Sequence, residues 1–274
     1  MLSPMTDSRP KRRHPGRWLL LLSALIALGS AAWGLKEGPL ALADAVGYAV
    51  CHQITVRTYV FGDLVMPLCA RCSGQYLGVM AGFFMALVRG RLRAAGLPSR
   101  WIMVTLAFFL AVWAFDGVNS YIFLLTQEPF LYAPHNILRL MTGMLQGVAV
   151  SMFFLPFFNQ VFWRDPNPRP ALTGWSDLGL ILLLTALLTF AVNSRWTPIF
   201  YPLAFLSAAG VFLLLSLVGT LVVVMLFRAE NAAESPRDFL MFFIPGMAFA
   251  VLLITGVDAL RVRLEATLGF SMPE

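Results

Sequence analysis

An all-α polytopic transmembrane helix bundle of about seven spans is the fold class this chain predicts, on three observations. Hydrophobic residues fill 59% of its 274 positions and charged residues only 12%, against about 25% charged in a soluble domain. The mean hydropathy is +0.76. Apolar runs recur along the whole length, each approaching the roughly 20 helical residues that cross about 30 Å of hydrocarbon.

These runs are Trp18 to Gly34, Ser73 to Val88, Trp101 to Leu125, Ile137 to Trp163, Asp177 to Asn193, Ile199 to Phe227 and Phe239 to Val257. The second is short, so its helix is expected to include residues of the preceding CxxC turn. Pro156, Pro202 and Pro245 fall inside or near the ends of spans, where neighbouring helices satisfy the freed carbonyls. With no internal repeat or linker, the chain reads as one bundle. It has a basic tail at 1–17, a motif-bearing core of four spans at 18–163 and a three-span extension at 164–274.

Orientation follows from the distribution of Lys and Arg, which stay on the cytoplasmic side. One side holds Arg9, Lys11, Arg12, Arg13, Arg17, Arg89, Arg91, Arg93, Arg100, Arg164, Arg169, Arg228 and Arg237, thirteen of the 20. The other holds Lys36, Arg57, Arg71, Arg139, Arg195, Arg261 and Arg263, which are seven. The expected protein therefore sits in the cytoplasmic membrane with its amino terminus inside and the long loop from Lys36 to Leu68 outside. The first span also resembles a signal peptide, with a basic start and small residues from Gly29 to Ala32. Its apolar run continues to Trp33, which favours an anchor.

Several function classes are excluded. The pI of 9.7 comes from basic residues scattered through short loops, not from a basic surface interleaved with aromatics, so the expected partner is the lipid bilayer and not nucleic acid. The lysines are Lys11 and Lys36, neither within a span, which removes a retinal Schiff base. Neither a nucleotide-cradling G-x-x-x-x-G-K-[ST] loop nor an H-E-x-x-H pair is present.

The chain has 3 cysteines, and all lie in one short stretch: Cys51-His52-Gln53, then Cys69-Ala70-Arg71-Cys72. Packing thiols would be spread through the spans, which hold none. A metal site is the first reading, since Cys51, His52, Cys69 and Cys72 make a Cys3His set of the kind that holds structural zinc. Adjacent residues do not easily reach one ion, so His135, in the next loop on the same side, could replace Cys51 or His52. Ser73 follows Cys72 where a haem attachment motif requires histidine. The second reading is a membrane thiol-disulfide oxidoreductase. Cys69 and Cys72 then form the reactive pair, activated by a helix amino terminus and Arg71, and Cys51 acts as the shuttle, an arrangement like that of quinone-linked disulfide-forming membrane enzymes. An odd number of cysteines fits metal better than paired disulfides.

Two further patterns lie within the spans. Gly74, Gly78 and Gly82 share one face of the second span, as Gly143 and Gly147 do on the fourth, and the two helices are expected to touch there. Asp116 and Asn119 share a face of the third span, where an ionisable group is costly and needs a partner. Arg139 or His135 is the expected one. The pair is either a structural lock or, in a third reading, part of a transport pathway made of Asp116, Asn119 and Arg139. Asp258 is expected to pair locally with Arg261 or Arg263, and Asn136 to cap the fourth span.

Taken together, Cys51-His52-Gln53, Arg57, Pro67-Leu68-Cys69-Ala70-Arg71-Cys72-Ser73-Gly74-Gln75-Tyr76-Leu77-Gly78 and Asn136-Ile137-Leu138-Arg139-Leu140-Met141-Thr142-Gly143 resemble the bacterial and archaeal membrane family called domain of unknown function 2085. The resemblance covers roughly Cys51 to Gly147. It implies that Cys51, His52, Cys69, Cys72 and Arg139 belong to one site, and it implies no particular activity.

Overall fold

The computed structural model describes residues 15–38 and 40–268; Arg9, Lys11, Arg12 and Arg13 of the basic tail lie outside them. The chain begins with α1 (Arg17–Glu37) and the short α2 (Ala41–Val50), then a hairpin of β1 (Thr58–Phe61) and β2 (Leu64–Cys69). It continues through α3 (Ala70–Val88), β3 (Ala94–Gly96), α4 (Arg100–Thr126), α5 (Asn136–Phe162), β4 (Asn167–Pro170), α6 (Trp175–Ser194), α7 (Phe200–Leu226) and α8 (Pro236–Leu268).

Six of these helices, α1, α4, α5, α6, α7 and α8, are long and apolar enough to cross a membrane. The second expected span corresponds to α3, whose 19 residues begin inside the CxxC turn. It carries Arg71, Ser73 and Gln75 and falls outside those six. Its surroundings explain the polarity, because α5, α6 and α7 all pack against it and a helix sheathed in protein does not need a uniformly apolar surface. At 1.5 Å per residue it still rises about 28 Å.

The helices alternate in direction. Gly74 of α3 faces Leu140 of α5, Gly78 faces Met144 and Gly82 faces Ser151, so these two helices run parallel with α4 returning between them. The contact is backbone to backbone. A Cβ on Gly143 would strike the carbonyl of Arg71, and one on Gly147 that of Gln75. Gly147→Ala is therefore expected to lower stability by about 1–3 kcal/mol through overpacking, read as a lower thermal midpoint in detergent. Gly117→Ala, in open space on α4, is the control and should lower nothing.

One end of the bundle gathers α2, the β1–β2 hairpin, the amino termini of α3 and α5, and the carboxyl-terminal turns of α8. The opposite end is closed by aromatics: Trp163 and Phe239 stack on each other, and Phe162 meets both edge-on with ring centroids at 4.9 and 5.8 Å. There β3 and β4 pair in parallel, and buried Asp177 accepts ion pairs from Arg89 and Arg91. An open depression of about 500 Å³, lined by Leu87, Arg93 and Asp165 among others, lies at this end, away from the cysteines.

Three local expectations change. The stretch from Lys36 to Leu68 is not a plain loop, since it holds α2 and the hairpin. β1 and β2 meet through Phe61↔Leu64, leaving Gly62-Asp63 as a two-residue turn with Gly62 at φ +63°, the backbone that a Gly-first hairpin turn requires. Asn136 is the first residue of α5 and not its cap. Its amide donates to the Val56 carbonyl at 3.1 Å, so it ties two segments together. Arg261 pairs with Glu265 at 3.0 Å, one turn further along α8 than expected, and Asp258 Oδ1 accepts no hydrogen bond.

Candidate metal centre

The end of α2 delivers the first sulfur. Cys51 caps that helix, its N–H donating to the Gly47 carbonyl at 2.9 Å. Gln53 then takes a left-handed backbone, φ 49°, and turns the chain towards the hairpin. Its side-chain amide donates to the Pro67 carbonyl at 2.9 Å, which holds the α2 end against β2. Cys69 ends β2 and precedes α3, while Cys72 lies in the first turn of α3. Two segments separated by the hairpin thus meet at their sulfurs.

The three Sγ atoms lie within 4.8 Å of one another and all three cysteines are free. Cys51 and Cys69 are buried, and Cys72 is half-buried. Peptide N–H groups of Gln53 and Cys69 donate to the Cys51 sulfur at 3.5 and 3.3 Å. His52 Nδ1 lies 3.6 Å from the same sulfur. The sulfurs raise the His52 imidazole to about 9, chiefly through hydrogen bonds with Cys51 and then Cys69. Cys69 is pushed strongly down because Cys51 and then Cys72 hydrogen-bond to its thiolate. Arg71, the expected source of that effect, points elsewhere.

Arg71 forms an ion pair with Asp116 and also donates to Ser120 Oγ at 2.9 Å. Asp116, 2% exposed, further accepts from the Tyr132 hydroxyl at 2.7 Å and from Thr142 at 3.4 Å. The partner of Asp116 is thus Arg71, and neither Arg139 nor His135. Parallel packing of α3 on α5 explains this, since it turns the first turn of α3 towards α4. Arg139 instead donates to Asn136 Oδ1 at 3.0 Å. Asn119 fixes the 127–135 loop, donating to the Tyr132 carbonyl at 3.0 Å and accepting from Leu131 N–H at 3.1 Å. His135 is exposed at the start of α5, and both it and His52 stand outside the group of three mutually close sulfurs.

Sequence reasoning missed one support. Arg261 of α8 donates to the carbonyls of Tyr48 and Cys51, each at 2.7 Å, and its guanidinium lies 4.1 Å from the centre of the Tyr48 ring. Glu265 accepts from Tyr48 at 2.8 Å and holds Arg261 in turn. The carbonyls that α2 leaves open at its carboxyl end are satisfied by a cation. The late Arg-x-x-x-Glu spacing was the available signal, but nothing in it names a partner 210 positions away. Arg261→Met is expected to loosen the Cys51 segment, read as faster labelling of Cys51 by a thiol reagent with the helix content unchanged.

Comparisons with known proteins fall on this region. The family described as predicted membrane protein, DUF2085, matches residues 51–153, from Cys51 into α5. An uncharacterized protein of Methanocaldococcus jannaschii is 31% identical over 120 residues, which are 44% of this chain and 70% of that protein. An uncharacterized protein of Methanothermobacter thermautotrophicus is 29% identical over 106 residues, 38% of this chain and 82% of that one. No solved structure matches.

Proposed function

Because the chain belongs to the predicted membrane protein family DUF2085, whose matched region holds all three cysteines, we propose that it is a membrane protein built around a zinc centre of Cys51, His52, Cys69 and Cys72. The observation that carries this reading is the mutual closeness of three sulfurs, within 4.8 Å. A disulfide uses two and strands the third. In tetrahedral zinc, bonds of about 2.3 Å to sulfur and about 2.05 Å to nitrogen set S···S near 3.8 Å and S···N near 3.6 Å. The Cys51 Sγ to His52 Nδ1 distance is 3.6 Å, which matches the spacing of two ligands on one ion for this pair. His52 is not within the group of three mutually close sulfurs, so completing the set requires its ring to move towards them when the metal binds.

The alternation of helix direction puts the cysteines at one end, and Arg89, Arg91, Arg93, Arg100, Arg164, Arg169, Arg228 and Arg237 at the other. The preference of positive charge for the cytoplasmic side supports a zinc centre outside the cytoplasm. The motif-bearing core at 18–163 carries the centre, and the extension at 164–274 braces it through Arg261. No activity is attached to the site by this reading; a closed Cys3His set is that of a structural zinc.

Protons compete with the metal. His52, raised to about 9, must lose its proton to bind, and so must the thiols. Zinc affinity is therefore expected to climb as pH rises from 6 to 9 in a chelator competition, and a flat profile would argue against these ligands. In the metal-free chain the sign reverses. The contribution of protonated His52 to stability is full below its ordinary value of 6.5 and is lost as pH rises through about 9.

The thiol-disulfide reading keeps one supporting observation, the Cys69 thiolate held by its neighbours, since the thiolate is the nucleophile. Metal-free protein carrying a Cys69–Cys72 disulfide would favour it. For a transport pathway, the engagement of Asp116 by Arg71, Tyr132 and Thr142 counts in favour of a structural lock.

A further inference from the structure

Beside the sulfurs lies a surplus of buried positive charge. Arg57, Arg71 and Arg139 sit close enough to repel one another, and Asp116 is the carboxylate among them, already taken by Arg71. Arg139 is 6% exposed and its Nε has no partner; its one hydrogen bond goes to the neutral Asn136 amide. Arg57 is 9% exposed and its side chain makes no hydrogen bond or ion pair with any described residue. The Cys69 thiolate offsets part of this charge. A zinc centre with three thiolates would carry the same single negative charge, so at least one cation remains unbalanced under either reading. The amino termini of α3 and α5 add further positive potential. A buried unpaired charge is costly enough that a counter-ion is expected.

We propose that Arg57 and Arg139 clasp a phosphate-class oxyanion next to the cysteine centre. Guanidinium forks match such oxygens in pairs. The Asn136 to Val56 hydrogen bond brings the Arg57 segment onto the start of α5, and exposed Val56, Leu131, Ile137 and Leu138 form an apolar fringe beside the arginines. That fringe suits the acyl chains of an anionic phospholipid whose headgroup supplies the phosphate.

The full chain, purified in detergent without chelator, is offered phosphatidylglycerol, phosphatidylcholine or inorganic phosphate. Bound ligand is counted by native mass spectrometry and the thermal midpoint is followed. Phosphatidylglycerol is expected to be retained about tenfold over phosphatidylcholine, a preference lost in Arg57→Gln and Arg139→Gln and kept in Arg100→Gln at the far end. Arginine-dependent binding of inorganic phosphate without a lipid preference would support the site and assign it to a free anion. Should the glutamine variants fail to fold, Arg57→Lys and Arg139→Lys take their place, with weaker binding expected from loss of the fork. Wild-type protein that neither prefers the anionic lipid nor is stabilised by phosphate overturns the proposal, as does wild-type binding in both variants. Zinc content, measured on the same sample, tests the metal reading separately.

Discussion

Cys72→Ser is expected to lose its zinc, and with it much of the order at the cysteine end. Cys72 contributes the one sulfur that lies inside α3, so its loss detaches the metal from the central helix. Cys51 and Cys69 then remain on the α2 end and β2. Structural zinc contributes about 10–16 kcal/mol of apparent binding free energy in small modules, so removal of one ligand should lower affinity by orders of magnitude. Within a bundle that has its own apolar core, the effect should stay local. Helix content should hold while the Cys51 and Cys69 thiols become open to labelling. Full zinc retention in Cys72→Ser would mean that the sulfur is not a ligand.

The second large effect is expected at Asp116. Asp116→Leu leaves the Arg71 guanidinium buried without its counter-charge, and breaking a buried pair from one side costs about 3–5 kcal/mol. It also frees the Tyr132 hydroxyl and Thr142, which hold the 127–135 loop and α5 to α4. Two measurements separate a structural lock from a working residue. The thermal midpoint of Asp116→Leu should fall, and the double variant Arg71→Met with Asp116→Leu should recover most of it, since an apolar pair of similar volume can replace a buried ion pair. A single variant as stable as the wild type, with unchanged metal content, would return Asp116 to the transport reading.

Much of the architecture was legible because hydrocarbon imposes a length. Each apolar run had to become a helix, and α4, α5 and α6 differ from their expected bounds by one or two residues. The α3–α5 contact was legible too, because glycine at every fourth position means close approach in a membrane. The polar end was not. Its order comes from side chain to backbone links between distant segments, such as Asn136 to Val56 and Arg261 to Cys51, and these have no periodicity. Asp116 shows the same limit. Spacing identified a buried carboxylate needing a cation, but six arginines lay on that side, and the choice of Arg71 follows from how α3 is rotated against α5. The cysteines were conspicuous in the sequence; that the third joins the other two at one point is a consequence of the hairpin.

The central claim is most directly tested by elemental analysis of the full chain purified without chelator. The Cys51, His52, Cys69 and Cys72 centre predicts about one zinc per chain. Protein without metal, carrying instead a disulfide between Cys69 and Cys72, would contradict it.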